Sequence, residues 1–320
     1  MSLKNFGSFG SGRKSIVQEE AQESNKIQEV RALLGPLPEK LSLYCSDECI
    51  RRYLTARGWN VRRATKMLKA TLKWRLEYKP EEIRWEEIAN EAQTGKIYRS
   101  SLFDKYGRSV LVMRPGFQNT NAIEGQVKYL VYCMENAIFN LPAGQEQMVW
   151  LISFCGFAMS HMSVRMTKET ANVLQDRYPE TLGAAILYDP PKIFESFWMV
   201  VKPFLEPKTH RKVKFVYSVD PSSRKIMEEL FNLDELETSF GGRNQASSFN
   251  FLEYDARMTE DDKKMALFWA GANASETVPM PSLSLSLDVE SDSDESFREE
   301  QDKFSPSPMR SATDSVDKLT

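Results

Sequence analysis

One stretch constrains the fold more than any other: Arg177 to Tyr217, RYPETLGAAILYDPPKIFESFWMVVKPFLEPKTHRKVKFVY. Within it, Ala184–Tyr188 is a short apolar run closed by Asp189-Pro190-Pro191, the pattern of a buried strand that ends in a turn. Lys192–Leu205 has helical length, yet apolar side chains reach almost every face: Ile193, Phe194, Phe197, Trp198, Met199, Val200, Val201, Phe204 and Leu205. A surface helix carries a polar side, so a helix of this composition must be buried or face lipid. It is much shorter than the roughly 20 residues that cross a bilayer. Val213–Tyr217 resumes as a strand, and two strands with a helix between them make a parallel β-α-β unit. Between helix and second strand lies a polar, basic turn, Lys208-Thr209-His210-Arg211-Lys212. An apolar helix beside a cationic turn is what a site for an amphiphile with an anionic head needs.

The 320 residues, 41% of them hydrophobic, can form one large domain or two small ones. A formal net charge of −3 offers no global attraction for nucleic acid. The charge is uneven, with a basic stretch from Arg57 to Arg75 and an acidic last fifty residues. Cys45, Cys49, Cys133 and Cys155 show no CxxC spacing and read as buried free thiols of a reducing compartment. The N-terminal residues lack the apolar core of a signal peptide, and no run is long enough to span a membrane. The expected location is cytoplasmic, with transient membrane association.

Along the chain, Met1–Ser15 is rich in Gly, Ser and Lys and is expected to be disordered. Its glycines do not make a phosphate loop: no strand precedes them, and the lysine does not follow the last glycine directly. Ile16–Leu34 reads as a polar helix ended by Gly35-Pro36. Ser46 and Asn60 are candidate N-caps of helices running to Arg57 and about Tyr78. The second helix has an inward stripe (Val61, Ala64, Leu68, Leu72) and a basic stripe (Arg62, Lys66, Lys69, Lys73). That basic stripe suits a solvated face or a weak contact with anionic headgroups. A short helix within Glu81–Gly95 precedes strands at Lys96–Arg99 and Ser109–Met113. Helices at Ile123–Asn140 and Ser163–Asp176 flank a strand at Met148–Phe154. Ser222–Leu230 and Thr259–Trp269 are further helices, with a tight turn at Phe240-Gly241-Gly242. From Ala272 onward, Ser, Pro and acidic residues cannot build a core and are expected to stay disordered. Serines flanked by carboxylates there suit phosphorylation, or acidic solvation alone.

Catalytic chemistry has little to work with. The two histidines, His161 and His210, sit in neither a GxSxG nor an HExxH pattern. A Cys155–His161 dyad is conceivable, but a strand-end cysteine beside a loop histidine is far more often structural. Cys45 and Cys49 have no second ligand pair for zinc. No enzyme, metal or cofactor is expected. The concentration of large apolar side chains around a parallel sheet suits an ordinary core or a lipid cavity.

Several motifs resemble the CRAL-TRIO family and, within it, the Sec14-like phosphatidylinositol transfer proteins. They are Ile50-Arg51-Arg52-Tyr53-Leu54-Thr55-Ala56-Arg57-Gly58-Trp59-Asn60-Val61, Asp104-Lys105-Tyr106-Gly107-Arg108, Tyr178-Pro179-Glu180 with Gly183, Lys202-Pro203-Phe204-Leu205, and Phe240-Gly241-Gly242. They follow in family order between Ser46 and Arg243. The resemblance implies an α/β CRAL-TRIO (Sec14-like) fold, with a helical N-terminal lobe and a mixed, largely parallel sheet lobe. The sheet lobe's cavity holds one lipid under a mobile gate helix. It further implies an N-terminal extension at 1–35, the helical lobe at 36–95, the lipid-binding domain at 96–271 and an acidic tail at 272–320. The gate is Lys192–Leu205, with Phe194, Phe197, Trp198, Val201 and Leu205 as the stripe toward the cavity. Gly241 and Gly242 are its expected hinge or support.

The family's headgroup contacts fall on Arg57, Glu180, Thr209 and Lys212. Cations and a hydroxyl suit a phosphodiester, and a carboxylate suits orientation or ion pairing. The family's phosphatidylcholine positions do not match, since Met148, Trp150, Ser100, Leu111, Ser153 and Cys155 stand there. Those departures count against a choline lipid as second ligand. The function implied is binding and exchange of phosphatidylinositol between membranes, or its presentation to lipid-modifying enzymes. A carrier of another hydrophobe, sterol-like or tocopherol-like, stays open. So does a lipid-regulated scaffold whose acidic tail recruits a protein partner. A monomer that contacts phosphatidylinositol and a membrane surface, but no nucleic acid, is expected.

Overall fold

The computed structural model describes residues 11–161, 163–245 and 249–271. Its helical part begins with α1 (Ser11–Leu34) and α2 (Glu39–Tyr44). The Ser46 hydroxyl then accepts the Cys49 amide at 3.2 Å and starts α3 (Asp47–Ala56). Gly58, at φ 59°, turns the chain, and the Asn60 side chain accepts the Arg63 amide at 3.0 Å to start α4 (Val61–Tyr78). Ile27, Val30 and Leu34 of α1 share one buried cluster with Ile50 and Leu54 of α3 and Leu68 of α4. The boundary drawn at residue 35 therefore falls inside a packed unit. Helix also replaces the disorder expected over residues 11–15. The first ten residues and the tail from 272 lie outside the described residues.

After α5 (Trp85–Ala92), β1 (Ile97–Phe103) and β2 (Ser109–Met113) form an antiparallel pair. The chain continues through α6 (Ile123–Phe139), β3 (Met148–Ser153), α7 (Val164–Asn172), β4 (Leu182–Tyr188), α8 (Lys192–Val201), α9 (Pro207–Arg211) and β5 (Val213–Val216). The sheet order is β1-β2-β3-β4-β5, with β2 to β5 parallel. The β4-α8-β5 unit is thus the parallel β-α-β expected from the central stretch. The α10 helix (Pro221–Leu230) and α11 (Phe251–Gly271) complete the lobe. Trp85 and Ile88 of α5 belong to the same core as the sheet, so α5 packs with the sheet lobe.

Three local expectations are corrected. The basic turn Lys208–Lys212 is largely helical, because Pro207 at the first helical position starts α9. The helix expected through Asp176 ends at Asn172 and continues as a π-helical turn, Val173–Arg177. Cys45, Cys49 and Cys133 are buried free thiols, whereas Cys155 is exposed, because β3 ends before it.

A buried ionic hub joins the two parts of the fold. Arg75 of α4, 2% exposed, reaches Glu135 of α6 at 2.8 and 3.2 Å and Glu81 at 3.1 Å. Its guanidinium lies 4.2 Å from the centre of the Tyr44 ring. The Tyr178 hydroxyl donates to the same Glu135 carboxylate at 2.7 Å. Burial, reinforced by that carboxylate, pushes the Tyr178 phenol well above its usual pKa, so it stays a donor. Glu135→Ala, which leaves the buried guanidinium with Glu81 alone and the buried Tyr178 hydroxyl without its acceptor, is expected to cost about 3–5 kcal/mol in urea unfolding. The double variant Arg75→Met/Glu135→Leu should recover much of that loss. A single-variant loss below about 1 kcal/mol would show that the pair does not join the lobes.

Candidate functional site

Strand alternation gives the sheet a cavity-facing side. Trp150 and Ile152 of β3, Ala185 and Leu187 of β4 and Val213 of β5 share it. On the opposite side, Tyr188 meets Phe240 edge-on, ring centres 5.4 Å apart. Over the first face lies α8, held there by Phe194, which is 8% exposed and packs on Phe154 and Leu187. Between helix and sheet is an apolar cavity of about 220 Å³, with Thr170 and Ala171 of α7 in its side wall. All five gate-stripe residues, Phe194, Phe197, Trp198, Val201 and Leu205, line it. The outer face of α8 is apolar as well: Met199 is 68% exposed, Val200 52% and Ile193 48%.

A polar pocket adjoins the cavity. Glu180, Thr209 and Lys212 line it together with Gln175, Glu206 and Lys208. Thr209 and Leu182 line both spaces, so the apolar cavity and the polar pocket share a wall. Its charges are internally matched. Lys212 Nζ lies 3.0 Å and Lys208 Nζ 3.6 Å from the Glu180 carboxylate. Arg57 stands behind the wall and reaches Glu206 at 3.2 Å. Of the four residues assigned from the sequence, three therefore meet in the pocket and the fourth reaches it through Glu206. Glu180 is at φ 61°, a left-handed backbone that is uncommon for a side-chain-bearing residue and turns the chain sharply after Pro179.

The pocket holds only about 20 Å³. Behind it, Tyr178 and Pro179 also wall a separate cavity of about 320 Å³ between α2, α3, α6 and α11. The loop from Tyr178 to Glu180 is thus a thin partition between the two spaces, tied from the rear by the Tyr178–Glu135 bond.

Sequence reasoning missed the fastening of the gate. The Gln175 carboxamide accepts the Glu206 amide at 2.6 Å and donates to the Phe204 carbonyl at 3.0 Å, clamping the chain just beyond α8. Gln175 belongs to the π-helical turn, a distortion that is common at functional sites. No sequence pattern marks a π turn. Trp198 stacks on His210 of α9, ring centres 5.9 Å apart, which adds a second tie. Gly241 and Gly242, expected as gate support, lie elsewhere. A Cβ on Gly241 would meet the Tyr188 hydroxyl at 2.9 Å, and one on Gly242 would fall 1.9 Å from the Leu236 carbonyl. Gly241 lets the chain pass close to the end of β4, and Gly242 lets it pack on the Leu236 backbone.

Gln175→Ala removes both clamping bonds. It is expected to speed hydrogen exchange at the Glu206 amide about tenfold while shifting melting temperature little. Unchanged exchange would show that Arg57 and the Trp198–His210 stack hold the gate without it.

The chain has relatives among known proteins. The chain matches the CRAL/TRIO N-terminal domain family over residues 26–70 and the CRAL/TRIO domain family over residues 92–242. A CRAL-TRIO domain-containing protein of Schizosaccharomyces pombe is 36% identical over 201 residues, 62% of this chain and 19% of its own. The phosphatidylinositol transfer protein PDR17 of Saccharomyces cerevisiae is 33% identical over 193 residues, 56% of this chain and 55% of its own. The phosphatidylinositol transfer protein CSR1 of Eremothecium gossypii is 24% identical over 239 residues, 69% of this chain and 53% of its own. The chain thus spans between 19% and 55% of the length of these relatives. The crystal structure of Sfh5 superposes with a TM-score of 0.55 at 18% identity, covering 77% of this chain and 97% of the other.

Proposed function

The chain belongs to the CRAL-TRIO family, and from that premise we propose that it binds one phosphatidylinositol-type phospholipid and exchanges it between membranes. Two relatives bear the name phosphatidylinositol transfer protein, which points the same way. The observation that carries the reading is the wall shared, through Thr209 and Leu182, between an apolar cavity and a pocket bearing Lys208 and Lys212. An amphiphile with acyl chains in the first space has its phosphate in the second.

The narrow geometry of the cavity supports an exchange controlled by α8. A volume of about 220 Å³ lies below the roughly 300–1,000 Å³ of ordinary small-molecule sites, so a two-chain lipid enters only when α8 moves outward. Glu180 pairs with Lys212 and Lys208, and Glu206 with Arg57, so each of these cations already has a carboxylate partner. An arriving phosphodiester replaces these carboxylates as partner of Lys212 and Arg57, an exchange of charge-assisted bonds. Because a membrane already buries acyl chains, hydrocarbon burial contributes little net free energy to extraction, and selectivity rests on the headgroup. At the membrane, Met199, Val200 and Ile193 on the exposed side of α8 enter the interface. Burying one such side chain is worth roughly 1.5–3 kcal/mol. That gain favours the open gate only where a membrane is present.

Lys212→Ala is expected to reduce phosphatidylinositol transfer about 10- to 100-fold, the equivalent of one charge-assisted bond, with the fold intact. Lys212→Arg should impair transfer too, since a planar fork does not replace a compact ammonium. Wild-type transfer by the alanine variant would sink the headgroup assignment.

Met199→Asp with Val200→Asp places two carboxylates on an exposed face, so melting temperature should hardly change. Liposome binding and transfer rate should both fall. Intact transfer, or loss of folded protein, would refute the membrane role of this face.

A further inference from the structure

One group in the cavity wall is left without a partner. Among the described residues, the indole Nε1 of Trp150 is the single buried side-chain nitrogen or oxygen with no hydrogen-bond partner. Trp150 is 6% exposed and lines the apolar cavity beneath α8. Its neighbours across the sheet are Leu111 on β2 and Ala185 on β4, neither with a side-chain acceptor. Ala185, a methyl side chain on the same face, leaves space beside the ring. An indole N–H is a donor only, and buried donors are almost always satisfied. The N–H therefore calls for an acceptor carried by the occupant of the cavity.

We propose that the Trp150 indole N–H donates a hydrogen bond to an acyl ester carbonyl of a bound glycerophospholipid. The inference rests on the reading of this cavity as a phospholipid site and names which part of the lipid meets which wall. Three arguments select the ester. No Lys, Arg, Asp or Glu lines the cavity, so a carboxylate or phosphate at this depth would be a buried anion without a counter-ion. A sterol-type hydroxyl could accept from the indole, but it brings a donor of its own, and neither strand neighbour of Trp150, Leu111 or Ala185, offers a side-chain acceptor for it. An ester carbonyl only accepts, so it satisfies the indole and creates no new orphan.

Order along the wall gives the third argument. Leu182, shared with the polar pocket, pairs with Met148 at the start of β3. Trp150 follows two residues later, about 7 Å along the strand. Ile152 and Leu187 come next, leading to the Phe154–Phe194 cluster. Polar pocket, lone donor and apolar end repeat the sequence of phosphate, glycerol ester and acyl chain in the lipid.

The test uses the full chain and two phosphatidylinositols with the same chains, one ester-linked (dioleoyl) and one ether-linked (dioleyl), which lacks both carbonyls. An identical choline-headgroup pair runs in parallel, so that a wrong headgroup assignment still leaves the ester contact readable. Competition for binding, read by native mass spectrometry, should favour the ester about three- to tenfold in the wild type, the effect of one neutral hydrogen bond. Trp150→Phe keeps an aromatic ring, removes the N–H and should bring the two linkages to parity. In the wild-type protein, the Trp150 indole ¹H–¹⁵N resonance should move downfield with ester lipid and not with ether lipid, a reading that needs no folded variant. Equal affinity for both linkages in the wild type, with an unmoved indole resonance, would overturn the proposal and leave the phospholipid reading standing. Failure of all four lipids to bind would overturn both. Ester preference in the choline pair alone would keep this contact and refute the inositol headgroup.

Discussion

The Arg75–Glu135 pair is the contact on which the rest of the structure depends. A guanidinium and a carboxylate out of water are costly unless each is bonded on several sides. Here Arg75 bonds Glu135 twice and Glu81 once and lies on the Tyr44 ring, while Glu135 also accepts from Tyr178. Segments distant in sequence thereby meet at one point: α2, α4, the turn before α5, α6 and the loop before β4. Such an arrangement offers few alternatives, since any slip of one element leaves a charge buried and unpaired.

That hub also fixes the site. Tyr178 is tied to it, Pro179 follows, and Glu180 emerges on the other side of the partition to meet Lys212. The loop is held on several sides: Tyr178 is buried in the core and bonded to Glu135, its carbonyl accepts the Thr181 hydroxyl, Tyr53 donates to the Arg177 carbonyl, and the chain takes a left-handed turn at Glu180. This rear anchor sets where Glu180 stands to meet Lys212.

The gate is built on the opposite principle. It is held by the Gln175 clamp, the Arg57–Glu206 pair and the contacts of Trp198 with His210 and Phe215, with Phe194 and Val201 as its buried anchors. Its outer face keeps Met199, Val200 and Ile193 in water. Apolar surface that is costly in solvent and favourable at a membrane interface biases the same helix differently in the two settings.

Local chemistry makes much of this legible in the amino-acid order. Apolar run and proline turn mark β4, the nearly all-apolar composition marks α8, and hydroxyl and amide caps at Ser46 and Asn60 mark α3 and α4, because these signals act between residues a few positions apart. The cavity-facing stripe of α8 is readable for the same reason, as helical spacing alone puts Phe194, Phe197, Trp198 and Val201 on one side; the helix expected through Leu205 ends at Val201, and Leu205 reaches the cavity from extended chain beyond a 3-10 turn. Other features are not. Arg75 reads as one more cation in a basic stretch, yet it is 2% exposed, and its burial is decided by Glu135, sixty residues away. Gln175 becomes a clamp only through a π turn, and Glu206 a counter-ion only through the approach of Arg57. The orphan indole of Trp150 exists because β2 and β4 bring Leu111 and Ala185 beside it. The amino-acid sequence by itself determined the elements, their caps and the apolar faces, through interactions within a turn or a strand. Which charges pair, which donor goes unpaired and where the gate is fastened were decided only by tertiary structure, since each depends on groups far apart in the chain meeting within a few ångströms.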